Sequence, residues 1–174
     1  MSSTKVIPDW EYRVVFLGES GVGKTSIISR YCTANYKRDE KKTIAVSLLK
    51  RKLVIKDKTI EFKIWDTPVP QDRTVLDPIY KEANIIFLVY TREPSTFVEV
   101  RDFWYKRVEE KARNKPVIFL VKNKCDKDTK NELTNDEMEF FASSGTQFQL
   151  VSAKDNVKKD DLFKTVGREF LKKK

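Results

Sequence analysis

Eight residues near the N-terminus, Gly18-Glu19-Ser20-Gly21-Val22-Gly23-Lys24-Thr25, have the form G-x-x-x-x-G-K-[ST]. An apolar run, residues 14–17, precedes them, and a pattern typical of a helix, residues 26–31, follows. A strand, a glycine-rich turn and a helix start are the context in which this motif cradles phosphate. Glycine torsions let the backbone wrap closely around an anion, and the helix N-terminus adds partial positive charge. The alternative is a chance glycine-rich turn, which both matching flanks disfavour.

The groups of this phosphate loop have separate predicted roles in holding a nucleotide. The Lys24 ammonium would reach the β- and γ-phosphates, and the Thr25 hydroxyl would bind Mg²⁺. Successive backbone N–H groups of the loop would point into one concavity around the phosphates. The other candidate nucleotide-binding residues of the loop are Ser20, Gly21, Val22, Gly23 and Ser26.

Length and composition limit the class of protein. At 174 residues, with 40% hydrophobic and 35% charged residues, the chain is expected to form one globular domain with a full core. No apolar run approaches the ~18–20 residues of a membrane helix, and we expect no secretory signal. Two cysteines do not form a disulfide framework, so we expect a cytoplasmic protein, with peripheral association with intracellular membranes as a further expectation. The absence of histidine excludes imidazole-based catalysis.

The chain is basic, with 35 lysines and arginines, 26 acidic residues and a net charge of +9. Its basic residues are spread along the chain, with clusters at residues 37–42, 50–52 and 172–174. Attraction to an anionic membrane or nucleic acid is one interpretation, and a solvated lysine-rich surface is the other. No interleaved aromatics or groove-reading motif accompany the charge, so the solvated surface is favoured and no nucleic-acid partner is expected.

Strand-like and helix-like segments alternate along the chain. The predicted strands are residues 12–17, 45–55, 59–65, 85–90, 117–121 and 147–152. The predicted helices include residues 25–33, 96–112 and 160–171, and a capping box at 134–137 starts another. The second and third strands would form a hairpin, and three prolines make residues 66–78 irregular.

This alternation predicts a doubly wound α/β fold with a mostly parallel six-stranded sheet and about five helices. We expect the domain to span residues 12–171, with an N-terminal extension at 1–11 and a basic C-terminal end at 172–174. In such sheets ligands bind at the carboxyl ends of the strands. Other polar motifs should therefore follow the strand ends.

One such motif, Asn123-Lys124-Cys125-Asp126, follows the fifth predicted strand and has the form N-K-x-D. A carboxylate at Asp126 would accept two N–H bonds from the edge of guanine, which adenine does not offer. The Lys124 stem would lie along the base, and Asn123 would tie this loop to the phosphate loop. The alternative for this motif alone is an ordinary polar βα turn.

A second motif, Ser152-Ala153-Lys154, follows the sixth predicted strand. A backbone N–H of these three residues would bond the guanine oxygen. Each short motif is weak by itself, but both follow strand ends behind a phosphate loop, which favours a guanine-nucleotide site.

These residues resemble the Ras superfamily of small GTPases, and within it the Rab-like branch, over residues 12–171. The phosphate loop is close to the Rab form, and Thr43-Ile44-Ala45-Val46 resembles the Rab segment T-I-G-V. Trp65-Asp66-Thr67 matches the start of the family's W-D-T-A-G-Q-E. The resemblance implies a P-loop G domain that binds GTP or GDP with Mg²⁺ and hydrolyses GTP.

The family pattern assigns roles to further residues. Thr43 would bind Mg²⁺ and the γ-phosphate only in the GTP state, and Asp66 would hold Mg²⁺ through water, beside Thr25. Tyr36 falls where the family stacks an aromatic ring on the base; the alternative is an exposed loop tyrosine. The implied catalytic residues are Lys24, Thr43 and Gln71.

The chain departs from the family within residues 66–78, which we call the switch II segment. Pro68-Val69-Pro70-Gln71 stands where the family has A-G-Q-E. Val69 replaces a glycine whose N–H meets the γ-phosphate, and its Cβ restricts the backbone. Pro70 replaces the glutamine that orients the attacking water and has neither an amide nor an N–H. The hypothesis is very slow intrinsic hydrolysis.

Two alternatives to that hypothesis stay open. Gln71 lies one residue late and would substitute if the loop is shifted, or the prolines only rigidify a loop. Rab-directed activating proteins supply a glutamine themselves, so Pro70 need not abolish stimulated hydrolysis.

The resemblance also implies partners: effectors, an exchange factor and a GTPase-activating protein. Effectors would bind residues from Thr43 to Leu48, together with Trp65 and Tyr80, although Trp65 could equally be core packing at a strand end. No prenylation motif precedes the last residue, Lys174. The chain could stop before a lipidated tail, belong to a larger protein with a further G domain, or work without a lipid. Membrane association is expected only through a tail or partner outside this chain.

Two function classes follow. The first is a guanine-nucleotide switch with weak hydrolysis in vesicle trafficking. The second is a nucleotide-locked, non-hydrolysing scaffold, a pseudo-GTPase that forms one G domain of a larger protein. An adenine-specific P-loop enzyme is disfavoured by Asp126.

Overall fold

A computed structural model of the chain describes residues 7–33, 42–125, 133–154 and 162–172. Tyr36, Asp126 and most of the predicted loop at 35–42 lie outside the described residues. Six strands form one sheet: β1 Trp10–Leu17, β2 Ser47–Ile55, β3 Lys58–Asp66, β4 Ile85–Tyr90, β5 Val117–Lys122 and β6 Gln147–Leu150. Six helical elements lie in the described ranges: α1 Lys24–Thr33, a 3-10 helix Arg73–Leu76, α2 Asp77–Tyr80, α3 at residues 94–111, α4 Asn135–Ser144 and α5 Leu162–Lys172.

The sheet has the strand order β2-β3-β1-β4-β5-β6, and only the β2–β3 pair is antiparallel. The predicted doubly wound, mostly parallel α/β fold is therefore confirmed. Lys56 and Asp57 make the hairpin turn with positive φ angles of 50° and 62°. The predicted strand 147–152 ends early, since regular pairing stops at Leu150.

Alternate residues of the strands belong to two hydrophobic cores, one on each face of the sheet. Val14 and Phe16 of β1 belong to the core that includes α1 and α5, and Val15 and Leu17 belong to the other, with α3. All six residues of β4 are buried, because helices cover this central strand on both sides.

Helix α3 differs from the regular helix that the sequence predicts over residues 96–112. It consists of α-helical segments Pro94–Glu99 and Lys106–Lys111 on either side of a π-helical segment, Val100–Tyr105. Val100, Trp104 and Val108 are fully buried. Their spacing exceeds the 3.6-residue turn of an α-helix, and the wider π turn keeps all three against the sheet.

The ends of α4 follow the sequence signals. The Thr134 hydroxyl accepts from the Glu137 N–H at 3.3 Å, and the Glu137 carboxylate accepts from the Thr134 N–H at 2.6 Å. This is the predicted capping box, and Gly145 ends the helix with φ of 65°. No helix within the described ranges combines the length and apolarity needed to cross a membrane.

Candidate nucleotide-binding site

The loops that carry the predicted site residues meet at one edge of the sheet. They follow the carboxyl ends of the parallel strands β1, β3, β5 and β6. Strand β1 lies between β3 and β4, where the chain's connections diverge to opposite sides. A crevice at such a switch point is the usual ligand site of an open α/β sheet.

Lys24 lies under the phosphate loop and is only 6% exposed. Its ammonium donates to the backbone carbonyls of Gly18 and Glu19, each at 2.8 Å. Burial lowers the pKa of Lys24 to about 8, and the carboxylates of Asp66 and Glu19 oppose that shift. The buried Lys24 ammonium is poorly hydrated and lies beside the backbone N–H groups of the loop, so binding of an anion there is favourable. The loop therefore fits a phosphate.

Three oxygen-bearing side chains converge beside Lys24 at the start of α1. The Thr25 hydroxyl donates to the Asp66 carboxylate at 2.6 Å and lies 2.7 Å from the Thr43 hydroxyl. Asp66 is buried at the end of β3, and Thr43 precedes β2. Oxygen ligands with one carboxylate suit Mg²⁺, which takes its remaining ligands from water and phosphates. The donor set therefore fits the predicted ion.

The remaining residues of the phosphate loop differ in exposure. Ser20 and Gly21 are exposed, Gly23 and Ser26 are half-buried, and Val22 is buried. The exposed backbone at the loop tip leaves room for a ligand, while Val22 packs into the core below.

Asn123 joins three loops of the site and is 2% exposed. Its amide nitrogen donates to the Val22 carbonyl at 2.8 Å, and its oxygen accepts from the Ala153 N–H at 3.4 Å. Lys124 donates to the Gly21 carbonyl at 2.6 Å. The predicted link between the N-K-x-D loop and the phosphate loop is present in these contacts.

Arg30 of α1 holds the loop of Ser152, Ala153 and Lys154. Its guanidinium donates to the Ala153 carbonyl at 2.8 Å and to the Lys154 carbonyl at 2.9 Å. Ser152 and Ala153 are buried, and Lys154 is exposed. The sequence gives no signal for this contact, because Arg30 lies far from the loop along the chain.

A buried ion pair lies behind the N-K-x-D loop. Lys122, the residue before Asn123, donates to Glu137 at 3.2 Å, and both side chains are almost fully buried. Burial raises the pKa of the neighbouring Tyr90, and the Glu137 carboxylate raises it further. The sequence predicts Glu137 only as a helix cap; its pairing with Lys122 also anchors the loop to α4.

The start of the switch II segment is fixed to β1. The buried Thr67 hydroxyl donates to the Phe16 carbonyl at 2.6 Å. Pro68, Val69 and Pro70 are half-buried, and Gln71 is exposed. The described contacts do not test the predicted catalytic role of Gln71.

Arg73 connects the switch II segment to two other parts of the protein. It forms ion pairs with Glu99 of α3 and with Glu19 of the phosphate loop, the latter at 3.1 Å. Its guanidinium also lies over the Phe103 and Trp104 rings of the π-helical segment, 4.7 and 5.7 Å from their centroids. No local sequence pattern indicates these contacts of Arg73.

The prediction that Tyr80 contributes to an effector surface is wrong. Tyr80 is completely buried, and its hydroxyl donates to Asp77, which also receives two hydrogen bonds from Arg107 of α3. Its large apolar ring fills the core between α2 and α3 instead. Leu48 and Trp65 are cross-strand partners. Leu48 is 45% exposed, whereas Trp65 is half-buried and packs against the core on the α3 side of the sheet.

The glycines of the phosphate loop allow a matched test of its geometry. Gly23 has φ of +97°, and a Cβ there would lie 2.3 Å from the Asn123 amide nitrogen. Gly21 has φ of +79°, but a Cβ there would meet nothing within 4 Å. We expect Gly23→Ala to lower the free energy of unfolding by about 2–4 kcal/mol and Gly21→Ala by about 1–2 kcal/mol, measured by urea denaturation. Equal losses would contradict the close approach of Asn123.

Comparison with known proteins adds independent information on this region. Residues 13–172 match the model of the Ras family. The chain is 31% identical to the human (Homo sapiens) Ras-related protein Rab-12 over 169 residues, covering 95% of this chain and 69% of that protein. The mouse (Mus musculus) and rat (Rattus norvegicus) Rab-12 proteins show the same identity and coverage. The matched region contains every loop of the site described above.

Proposed function

The chain belongs to the Ras family of GTP-binding switch proteins, and we propose that it is a Rab-like switch with weak GTP hydrolysis of its own, acting in vesicle trafficking. The observation that supports nucleotide binding most directly is the convergence of Thr25, Thr43 and Asp66 beside Lys24. Residues from three separate segments meet there with the donor types that a magnesium-bound triphosphate needs.

Nucleotide binding would use the phosphate loop and the two other loops that Asn123 joins to it. The Lys24 ammonium and the loop N–H groups hold the phosphates, and Asp126 reads the guanine edge. Mg²⁺, when bound, neutralises phosphate charge beside Thr25, Thr43 and Asp66. The 152–154 loop completes the base site, with Tyr36 as the proposed stacking residue.

The surface from Thr43 to Leu48, together with Trp65, is the proposed effector surface. Ile44 is 91% exposed and Leu48 is 45% exposed, and both follow Thr43 closely in the chain. If Thr43 releases the site when the γ-phosphate is lost, these apolar side chains change position with the nucleotide. This coupling would let an effector distinguish GTP from GDP.

Slow hydrolysis follows from the residues at the family's glutamine position. Pro70 offers no amide to orient a water and no backbone N–H. Val69 adds a β-branched side chain where the family has glycine. Gln71 is exposed and is the proposed substitute if the loop shifts. A GTPase-activating protein that supplies its own glutamine would still stimulate hydrolysis.

The second candidate function is a nucleotide-locked scaffold within a larger protein, with residues 12–171 as its G domain. The contacts of the switch II segment favour it: Arg73 binds Glu19 and Glu99, and Arg107 binds Asp77 through two hydrogen bonds. A segment held to α3 at two points would respond less to the nucleotide.

Replacing Arg73 with alanine is expected to loosen the switch II segment. The substitution removes two ion pairs and two cation–π contacts of a partly buried side chain, about 1–2 kcal/mol together. Hydrogen exchange of residues 71–80 should become roughly tenfold faster. Arg101→Ala is the matched control, because Arg101 pairs with Asp102 on the same helix. Equal exchange in both variants would contradict the anchoring role.

Nucleotide competition tests the proposed function. The purified chain would be loaded with fluorescent GDP and challenged with GTP, GDP or ATP, with and without a magnesium chelator. We expect GTP and GDP to displace the probe at far lower concentration than ATP, and chelation to accelerate release. Displacement by ATP at the same concentration, or failure to bind any of the three, would overturn it.

A further inference from the structure

A cleft of about 390 Å³ lies between the β2–β3 turn and helix α5. Its lining residues are Val54, Ile55, Lys56, Lys164, Arg168 and Lys172. The nucleotide end of the hairpin is the Ser47–Asp66 pair, and the turn follows the Ile55–Lys58 pair. Nine-residue strands separate these ends by roughly 26 Å, so the cleft is remote from the nucleotide site.

The cleft brings several positively charged side chains close together, and their mutual repulsion is unfavourable. Lys164, Arg168 and Lys172 occupy successive positions four residues apart, which places them along one face of α5. Like charges at this spacing destabilise a helix. Lys56 approaches them from the turn and adopts a positive φ of 50°, which is unfavourable for a residue other than glycine. Only Lys172 has a helix-terminal position where its charge offsets the helix dipole.

The packing of α5 brings the turn close enough to form the cleft. A Cβ on Gly167 would lie 2.4 Å from the Cδ1 atom of Ile55, so glycine makes room for the hairpin against the helix. Ile55 then provides an apolar floor, and Val54 at the rim is 72% exposed. Among the described lining residues none is acidic, although Glu169 pairs with Lys172 at 3.0 Å.

We propose that this cleft binds a multiply phosphorylated headgroup of the inositol phosphate class. Four cationic side chains from two elements surround a volume in the range of small-ligand sites, and Arg168 offers the planar donor fork that matches phosphate. The same chemistry occurs in a soluble inositol phosphate and in a phosphoinositide lipid. The exposed Val54 at the rim favours the lipid, whose acyl chains would lie beside it.

The test uses the full chain and two probes. Soluble inositol trisphosphate would be titrated by calorimetry, and vesicles of phosphatidylcholine with phosphatidylinositol bisphosphate would be tested by co-sedimentation. The double variant Lys164→Glu/Arg168→Glu is expected to bind inositol trisphosphate at least roughly tenfold more weakly than the natural chain. The matched control, Lys106→Glu/Arg113→Glu, changes the same residue types on another surface and should bind like the natural chain.

The possible results distinguish a lipid ligand from a free inositol phosphate, and both from the absence of specific binding. Co-sedimentation with phosphoinositide vesicles, but not with phosphatidylserine vesicles of equal charge, supports a lipid ligand; binding of the soluble probe alone supports a free inositol phosphate. Equal weakening in both double variants, no binding of the soluble probe, or equal binding of polyglutamate would overturn the proposal. If the charge reversal prevents folding, Lys164→Gln/Arg168→Gln replaces it, because it removes both charges and keeps polar side chains of similar length, and it too should weaken binding of the soluble probe.

Discussion

Replacement of Lys24 by alanine is expected to weaken GTP binding by about 10²–10⁴-fold. The ammonium is buried under the phosphate loop, where its two contacts to a triphosphate would be charge-assisted hydrogen bonds. Each such bond is worth about 1.5–3 kcal/mol, and every 1.4 kcal/mol is about tenfold in affinity. Equilibrium titration with a fluorescent GTP analogue measures the loss.

Two controls make that result specific. Lys106→Ala removes the same side chain from α3, where it is 70% exposed, and should leave the affinity unchanged. Thermal unfolding of nucleotide-free Lys24→Ala should show a folded protein with an ordinary cooperative transition. Affinity within about twofold of the natural chain would mean that Lys24 only supports the loop through the Gly18 and Glu19 carbonyls.

Changing Asp126 to asparagine is expected to reduce GTP affinity by about 10²–10⁴-fold and to create affinity for xanthosine triphosphate. The carboxylate accepts from both N–H donors of guanine, whereas an amide can accept from only one and presents its own donor to the other. Xanthine has a carbonyl in place of the 2-amino group and matches the amide. Competition between the two nucleotides measures the exchange of preference.

Asp57→Asn is the matched control for the Asp126 substitution. Asp57 is exposed in the β2–β3 turn with φ of 62°, a conformation that asparagine tolerates. It should bind GTP like the natural chain. A loss of GTP affinity in Asp126→Asn without any gain for xanthosine triphosphate would argue that Asp126 supports the loop and does not read the base.

The sequence predicted the parts of the site whose residues are adjacent in the chain. The phosphate loop depends on one short motif between a strand and a helix, and Asn123 follows a strand end that the apolar pattern reveals. Thr43 and Asp66 were placed by the family pattern, and their meeting at Thr25 required the fold to bring three segments together.

The contacts that the sequence did not predict join residues distant in the chain. Arg73 with Glu99, Lys122 with Glu137 and Arg30 with the 152–154 loop depend on how helices pack against the sheet, which no local pattern encodes. Strand β1 begins at Trp10 because it pairs there with Ile60 of β3, so its start depended on another strand.

The wrong prediction that Tyr80 contributes to an effector surface has a related cause. The proline-rich part of the switch II segment departs from the family pattern just before Tyr80, so that pattern does not determine the environment of the positions that follow. An aromatic side chain carries enough apolar area to be drawn into a nearby core, and Tyr80 fills the space between α2 and α3.

Single-turnover hydrolysis of GTP bound to the purified chain with Mg²⁺ tests the central claim most directly. A variant with Pro68→Ala, Val69→Gly and Pro70→Gln would be measured beside it. We predict that the natural chain hydrolyses GTP at least about tenfold more slowly than the roughly 10⁻⁴ s⁻¹ typical of unassisted Ras, and that the variant regains that rate. Hydrolysis by the natural chain at roughly 10⁻⁴ s⁻¹, unchanged in the variant, would contradict the claim and make the protein an ordinary cycling switch.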